Sequence, residues 1–278
     1  MSHRLLGIVS NRRVLRLGVA AAVAPLVLAW PGAGAAAEGV GVAAPVASTA
    51  PAPAAPSRPP PAPGPRAHLL LDTSLTVVAG GTALGLELGL SSLARPSCPC
   101  AAAGVNGFDR AAIDWNFHAG IPLSDVAVGL AIAGALAGAW FAADTRDAAV
   151  GDALLVLEST ALAALLTEVV KIGVSRPYPY MYRSDVAPDK ITNGSNYASF
   201  WSGHTATPMA AAVSFAAILQ RRQPRSAWRW VAWVVGPALA IAAGLLQMSD
   251  ANHFPSDVLT GAGVGAFVGY GNIWLHER

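Results

Sequence analysis

Apolar residues run in six long stretches, about 68 to 92, 121 to 143, 150 to 172, 204 to 220, 230 to 249 and 257 to 275. Each is roughly as long as a helix must be to cross a hydrocarbon core about 30 Å thick. Polar residues gather at their ends. The pattern predicts an all-α chain, a polytopic membrane bundle of about six helices. The stretches are rich in Ala and Gly rather than Leu, which weakens the hydropathy of each one but lets helices approach closely through small residues.

Composition agrees. Of 278 residues, 54% are hydrophobic and only 12% charged, too apolar for an ordinary soluble domain. A net charge of +2 gives no reason to expect a nucleic-acid partner.

Three regions follow. Residues 1–37 hold Arg4, Arg12, Arg13 and Arg16 ahead of an apolar run and A-G-A-A-A, the arrangement of a signal peptide or N-terminal anchor. Within it S-N-R-R-V-L-R also has the form of a twin-arginine export signal. Residues 38–66 are dominated by Ala, Pro and Gly; they cannot bury a core and read as an extended linker. Residues 67–278 form the helical membrane domain.

Candidate chemistry sits in three polar clusters at helix ends. In H-F-P-S-D, His253 and Asp257 are four residues apart. In one helical turn they share a face, where the carboxylate can fix the imidazole's tautomer and leave the other nitrogen as a nucleophile. In S-F-W-S-G-H-T-A, Ser202, Gly203 and His204 open the fourth stretch. Free amides there, with a helix dipole behind them, suit a phosphate. In V-K-I-G-V-S-R-P-Y-P-Y, Lys171 and Arg176 supply cations for phosphoryl oxygens.

Other polar residues are ambiguous. Asp72, Glu87, Asp125, Glu158 and Glu168 lie within or beside the apolar stretches, where an ionisable group is a functional candidate by default. The plainer reading is structural, since Glu168 is three residues from Lys171 and Asp72 and Asp125 lie near segment ends. Arg183 and Lys190 read as solvated loop charges. Cys98 and Cys100, in S-C-P-C, allow a disulfide within the pair, a bridge to another chain, or reduced thiols; alone they cannot complete a metal site. Phe108, Ile113 and Phe117 have helical spacing and predict a short amphipathic helix at the interface, with His118 a surface residue. Trp228, Trp230, Trp233 and Trp274 suit an interfacial belt.

The basic run holding Arg221, Arg222, Arg225 and Arg229 separates the fourth and fifth stretches. By the positive-inside rule it is cytoplasmic, which places the three clusters, at the opposite helix ends, on the periplasmic side. A cleaved signal peptide followed by six crossings would instead leave them inside. Either the N-terminal run or the stretch at 68 to 92 therefore fails to cross.

From Lys171 to Thr260 the clusters resemble the type 2 phosphatidic acid phosphatases, whose site is shared with class A acid phosphatases and vanadium haloperoxidases. The family pattern is Lys, six residues, Arg-Pro; then Pro-Ser-Gly-His; then Ser-Arg, five residues, His, three residues, Asp. The resemblance implies His253 as nucleophile, Asp257 as its orienter, His204 as general acid, and Lys171, Ser202 and Gly203 around the phosphate. It also implies six membrane helices. The departures are Tyr178 and Gln247 where the family has arginines, Leu246 before Gln247, and Trp201 for the proline of the second motif. A charge-assisted hydrogen bond contributes roughly 1.5–3 kcal/mol, so two lost guanidinium groups slow turnover by about two to four decades. Arg176, Arg183 or Lys190 are the available substitutes.

The expectation is metal-independent, cofactor-free hydrolysis of a lipid phosphomonoester or diphosphate through a phosphohistidine. The enzyme would be a multi-pass protein of the bacterial inner membrane with a periplasmic site. The rival is a weakened or inactive relative that binds anionic lipid headgroups. Vanadate-dependent halide oxidation needs the same cation-rich cradle, and a soluble acid phosphatase would not need the apolar stretches.

Overall fold

The computed structural model describes residues 64–278, and among these all regular structure is helical. The assignments for residues 1–37, and nearly all of the Ala/Pro-rich linker, lie outside the described residues. Six long helices match the six stretches: α1 (Leu69–Leu93), then, after a four-residue α2 (Gly107–Arg110), α3 (Gly120–Ala142) and α4 (Arg146–Val174), and, after a five-residue α5 (Pro188–Thr192), α6 (Gly203–Arg222), α7 (Trp228–Ser249) and α8 (Pro255–Leu275).

Local chemistry sets the ends that matter. Thr145 caps α4, its hydroxyl accepting from the Ala148 amide at 3.2 Å. Ser175 ends α4 in the left-handed conformation while its hydroxyl accepts from the Arg95 amide at 2.9 Å, which ties the end of α1 to the end of α4. Pro255 and the acid Asp257 in the first turn start α8 in the usual helix-opening manner.

Five of the long helices are long and apolar enough to cross a membrane. Helix α6 is not among them, which differs from the expectation of six. The reason is its place: α6 packs against α3, α4, α7 and α8, and its residues from Thr205 to Leu219 are nearly all buried. A helix enclosed by other helices need not be apolar enough for lipid. Large apolar side chains instead cover the outside, among them Leu70 and Leu88 on α1, Val234 on α7 and Phe267 on α8, as in a protein whose outer solvent is lipid. The chain is a multi-pass helical membrane protein. Of the two candidates for a non-crossing segment, the stretch at 68 to 92 is long and apolar enough to cross and packs on α4; the other lies outside the described residues.

The packing of α8 on α6 depends on a stripe of small residues. A Cβ on Gly261, Gly265 or Gly269 would lie 2.6, 2.3 and 2.4 Å from the carbonyl oxygens of Ser202, Ala206 and Ala210, respectively. Only hydrogen at these positions lets the two backbones run this close. That approach brings the starts of both helices, and with them two of the three polar clusters, to one end of the bundle.

The short amphipathic helix is smaller than its spacing predicts. Helix α2 is followed by a 3-10 turn (Ala111–Asp114), Ile113 is buried, and Phe108 and Phe117 are exposed. The inward residue is Asp109, whose carboxylate has partners in α8. Cys98 and Cys100 form a disulfide within the pair, and His118 is exposed.

Candidate active site

His253 lies in the turn between α7 and α8 and is 3% exposed. Its Nδ1 is 2.8 Å from the backbone carbonyl oxygen of Ser199. A carbonyl only accepts, so Nδ1 carries the proton and Nε2 of the neutral ring keeps its lone pair. Asp257 stands 3.8 Å from the same nitrogen, beyond hydrogen-bond distance. The expected direct orienting bond is thus replaced by a backbone one, because His253 precedes α8 while Asp257 sits in its first turn. Asp257 instead organises the turn. It accepts from the Phe254 amide at 2.8 Å, from the Ser199 hydroxyl and from Arg176 Nη1 at 2.5 Å, while its own carbonyl accepts from the Ser202 amide at 3.1 Å. Burial pushes the His253 imidazole below its ordinary range, with Asp257 opposing and His204 and Lys171 adding to the fall.

His204, in the first turn of α6, is partly exposed, and its Nε2 is 3.0 Å from Asp125 Oδ1 on α3. Asp125, weighed as a segment-end structural acid, is therefore the partner of a candidate catalytic histidine. The amides of Gly203 and His204 precede the first that finds a carbonyl, Thr205 N to Ser202 O at 3.3 Å, and so remain available at the helix start. Ser202 is fully buried, its oxygen accepting from Thr205 Oγ1 at 3.1 Å. Lys171 reaches this place from α4: its Nζ would lie 3.7 Å from a Cβ on Gly203. It is 2.7 Å from Glu168 and 3.6 Å from Glu87. The Glu168 pairing is the one its spacing allowed; Glu87 on α1, half-exposed, was not anticipated.

The other cations go elsewhere. Arg176 gives Nη1 to Ser256 at 2.8 Å and to Asp257, and Nη2 to Asp109 at 2.9 Å, with its guanidinium 4.0 Å over the Phe254 ring. Its donors are directed at two buried carboxylates, which is why it binds as a strut and not as the free phosphate ligand read from sequence. Burial of Asp109 works to raise its carboxyl, but Arg176 and the Ser256 amide outweigh this and hold it below the usual range. Arg183 donates to the carbonyls of Ile113 and Trp115 at 2.6 and 2.5 Å, and Lys190 lies over the Tyr180 ring. Where the family pattern has arginines, Tyr178 sets its ring edge-on to that of His253 at 5.9 Å. Gln247 is buried, its carbonyl accepting from Asn252 N at 3.0 Å, which shapes the turn that carries His253. Trp201 is tied to α4, its indole N–H donating to Thr167 at 2.8 Å.

Three helix starts and one helix end therefore converge on a buried neutral histidine, a second histidine paired with a carboxylate, and a lysine beside free amides. Residues 152–278 match the model of the PAP2 superfamily. Over that stretch, a little under half of the chain, the sequence is similar to the PAP2 superfamily. The match bears out the resemblance read from the motifs and takes in all three clusters, while Glu87, Asp109 and Asp125 precede it. A curated relative, the lipid A 1-phosphatase of Porphyromonas gingivalis, is 35% identical over 85 residues, 31% of this chain and 18% of that one; the chain spans less than a fifth of that relative's length. The transmembrane PAP2-type phosphatidylglycerolphosphate phosphatase of Bacillus subtilis, a solved structure, is 19% identical with a TM-score of 0.41, covering 75% of this chain and 94% of that one.

Proposed function

We propose that the protein is a membrane lipid phosphatase that cleaves a phosphomonoester or diphosphate through a phosphohistidine on His253. The observation that supports this most is the Nδ1 contact with the Ser199 carbonyl, since it leaves Nε2 as the nucleophilic nitrogen in a ring that burial keeps neutral. Nε2 attacks phosphorus, the bond from phosphorus to the leaving oxygen breaks, and His204 gives that oxygen a proton. Water then attacks the phosphohistidine, His204 takes a proton from it, and phosphate leaves as His253 regains its lone pair. The net change is lipid phosphate plus water to lipid alcohol plus phosphate, and no step calls on a metal or cofactor. Asp125 holds one nitrogen of His204 and leaves the other for the transfer. Lys171 and the amides of Gly203 and His204 hold the phosphoryl oxygens, backed by the helix dipole. Arg176, with Asp109 and Asp257, positions the turn that carries His253.

One observation favours the second reading, a weakened or inactive protein that binds anionic headgroups. Neither Arg176, Arg183 nor Lys190 replaces the missing arginines, and Lys171 faces two carboxylates. Phosphate release from a panel of lipid phosphates by detergent-purified protein, beside His253→Ala, separates the two. Release by the parent that is lost in the variant supports the enzyme; binding of the lipids by folded protein with no release supports the binder.

The histidine, lysine and α6 start share one end of the bundle, and the arginines Arg221, Arg222, Arg225 and Arg229 share the other. In the bacterial inner membrane this charge asymmetry supports a site on the periplasmic face, within reach of lipid headgroups.

A further inference from the structure

At the other end of the bundle, three helices bring acceptor atoms together away from the histidine pair. Asp72 stands in the first turn of α1, Glu158 lies in α4, and His276 follows α8. One ligand atom from each lies within 4.8 Å of the others. Nε2 of His276 is 3.4 Å from Asp72 Oδ1 and 3.9 Å from Glu158 Oε2. Both carboxylates are almost wholly buried, at 1% and 2% exposure.

The hydrogen bonds around them leave a gap in the middle. Nδ1 of His276 is 2.8 Å from the Asn272 carbonyl oxygen, so it carries the proton and Nε2 presents a lone pair. Asp72 Oδ2 accepts from the His68 amide at 2.6 Å, but Oδ1 is buried without a hydrogen-bond partner. Glu158 Oε2 has a contact of 3.3 Å from Asn272 Nδ2. Three lone pairs therefore face one another, two of them on buried carboxylates whose ion-pair partner among the described residues is His276. Buried charges of one sign need a cation among them. A proton on Nε2 supplies one charge for two carboxylates; a divalent ion supplies two and makes ligands of all three atoms.

We propose that Asp72, Glu158 and His276 bind a divalent first-row transition ion, with Zn2+ the best match to two carboxylates and one imidazole. Two ligands each about 2.1 Å from one ion at a near-tetrahedral angle are about 3.4 Å apart, the separation between Asp72 and His276; the Glu158 contact needs to shorten by less than about 1 Å. The bond from Nδ1 to a carbonyl is the outer contact that typically orients a ligating imidazole. His68, its ring centroid 6.4 Å from that of His276, is the candidate fourth ligand. The ion clamps α1, which otherwise packs mainly on α4, to the end of α8, and takes no part in chemistry at the histidine pair.

The test uses full-length protein in detergent, stripped with chelator, dialysed, and titrated with Zn2+ alone or Co2+ alone. The expected result is one equivalent of Zn2+ per chain, a thermal midpoint raised by several degrees as for any ligand that binds only the folded state, and a Co2+ absorption spectrum of a low-coordinate nitrogen and oxygen site. His204→Ala, at the far end, keeps that equivalent; Glu158→Gln and His276→Ala lose it. A wild-type protein that binds no equivalent and shows no midpoint shift overturns the proposal without recourse to any variant. So does Zn2+ binding that persists in both Glu158→Gln and His276→Ala, or that is lost in His204→Ala.

Discussion

His253 and His204 differ because their surroundings do. The first is buried against a carbonyl and kept neutral; the second is half-open beside a carboxylate. Burial lowers the folded imidazole of His253, with Asp257 opposing. Between that lowered value and the ordinary value of about 6.5, the unfolded chain binds more protons, so stability rises with pH through this window and is lost as pH falls across it. The acid limb of a pH profile of kcat/KM should accordingly sit below about 6.5; a limb above it contradicts a buried neutral nucleophile. Glu87 leans on Lys171 from a half-exposed position, so Glu87→Gln should remove one of the two carboxylates that compete with phosphate for the ammonium and lower KM several-fold with kcat little changed, read from initial rates on a lipid phosphate. Asp125→Asn should lower kcat about tenfold or more, less than the full general-acid contribution of about 10² to 10⁴, and the loss should shrink for substrates with good leaving groups. His253, His204, Asp257 and Lys171 stood out as candidates because their spacing is local and their types are few. Ser199 and Asp109 did not, and Asp125 and Glu87 stood out as acids of the apolar stretches but not as partners of His204 and Lys171, since a backbone carbonyl has no sequence signature and the three acids reach the site from distant segments.

At the scale of elements, the six apolar stretches gave the long helices to within a few residues, because each is bounded by Pro, Gly or charge. What the pattern could not show is which helices enclose α6, since those neighbours come from distant segments. The Ala/Gly bias did announce close packing, and Gly261, Gly265 and Gly269 carry it. A Cβ at Gly265 would meet the Ala206 carbonyl at 2.3 Å, so Gly265→Val must push α8 from α6 and shift His253 relative to His204. Overpacking of this kind costs about 1–3 kcal/mol. The expected result is a lower thermal midpoint and a large loss of kcat, whereas Gly263→Ala, which faces open space, should leave both unchanged. Equal behaviour of the two variants would contradict the account of the stripe.

Across the whole molecule, the arginine run around the turn from α6 to α7 and the histidine pair occupy opposite ends. Arg222 meets Asp152 and Arg221 meets Glu277 at the end away from the histidines, so the basic end is tied into the bundle. The two cysteines pair with each other, which makes an introduced thiol at Arg225 a specific probe. In intact cells Arg225→Cys should resist a membrane-impermeant maleimide and react after permeabilisation; prompt labelling would turn the orientation over. The central claim is tested most directly by mixing the protein with a lipid phosphate, quenching in alkali within the first turnover, and locating the phosphoryl group by mass spectrometry. A burst of phosphate carried on His253, absent in His253→Ala, is the predicted result. Turnover with no phosphoryl group on His253, or release that survives in His253→Ala, would contradict the proposed mechanism.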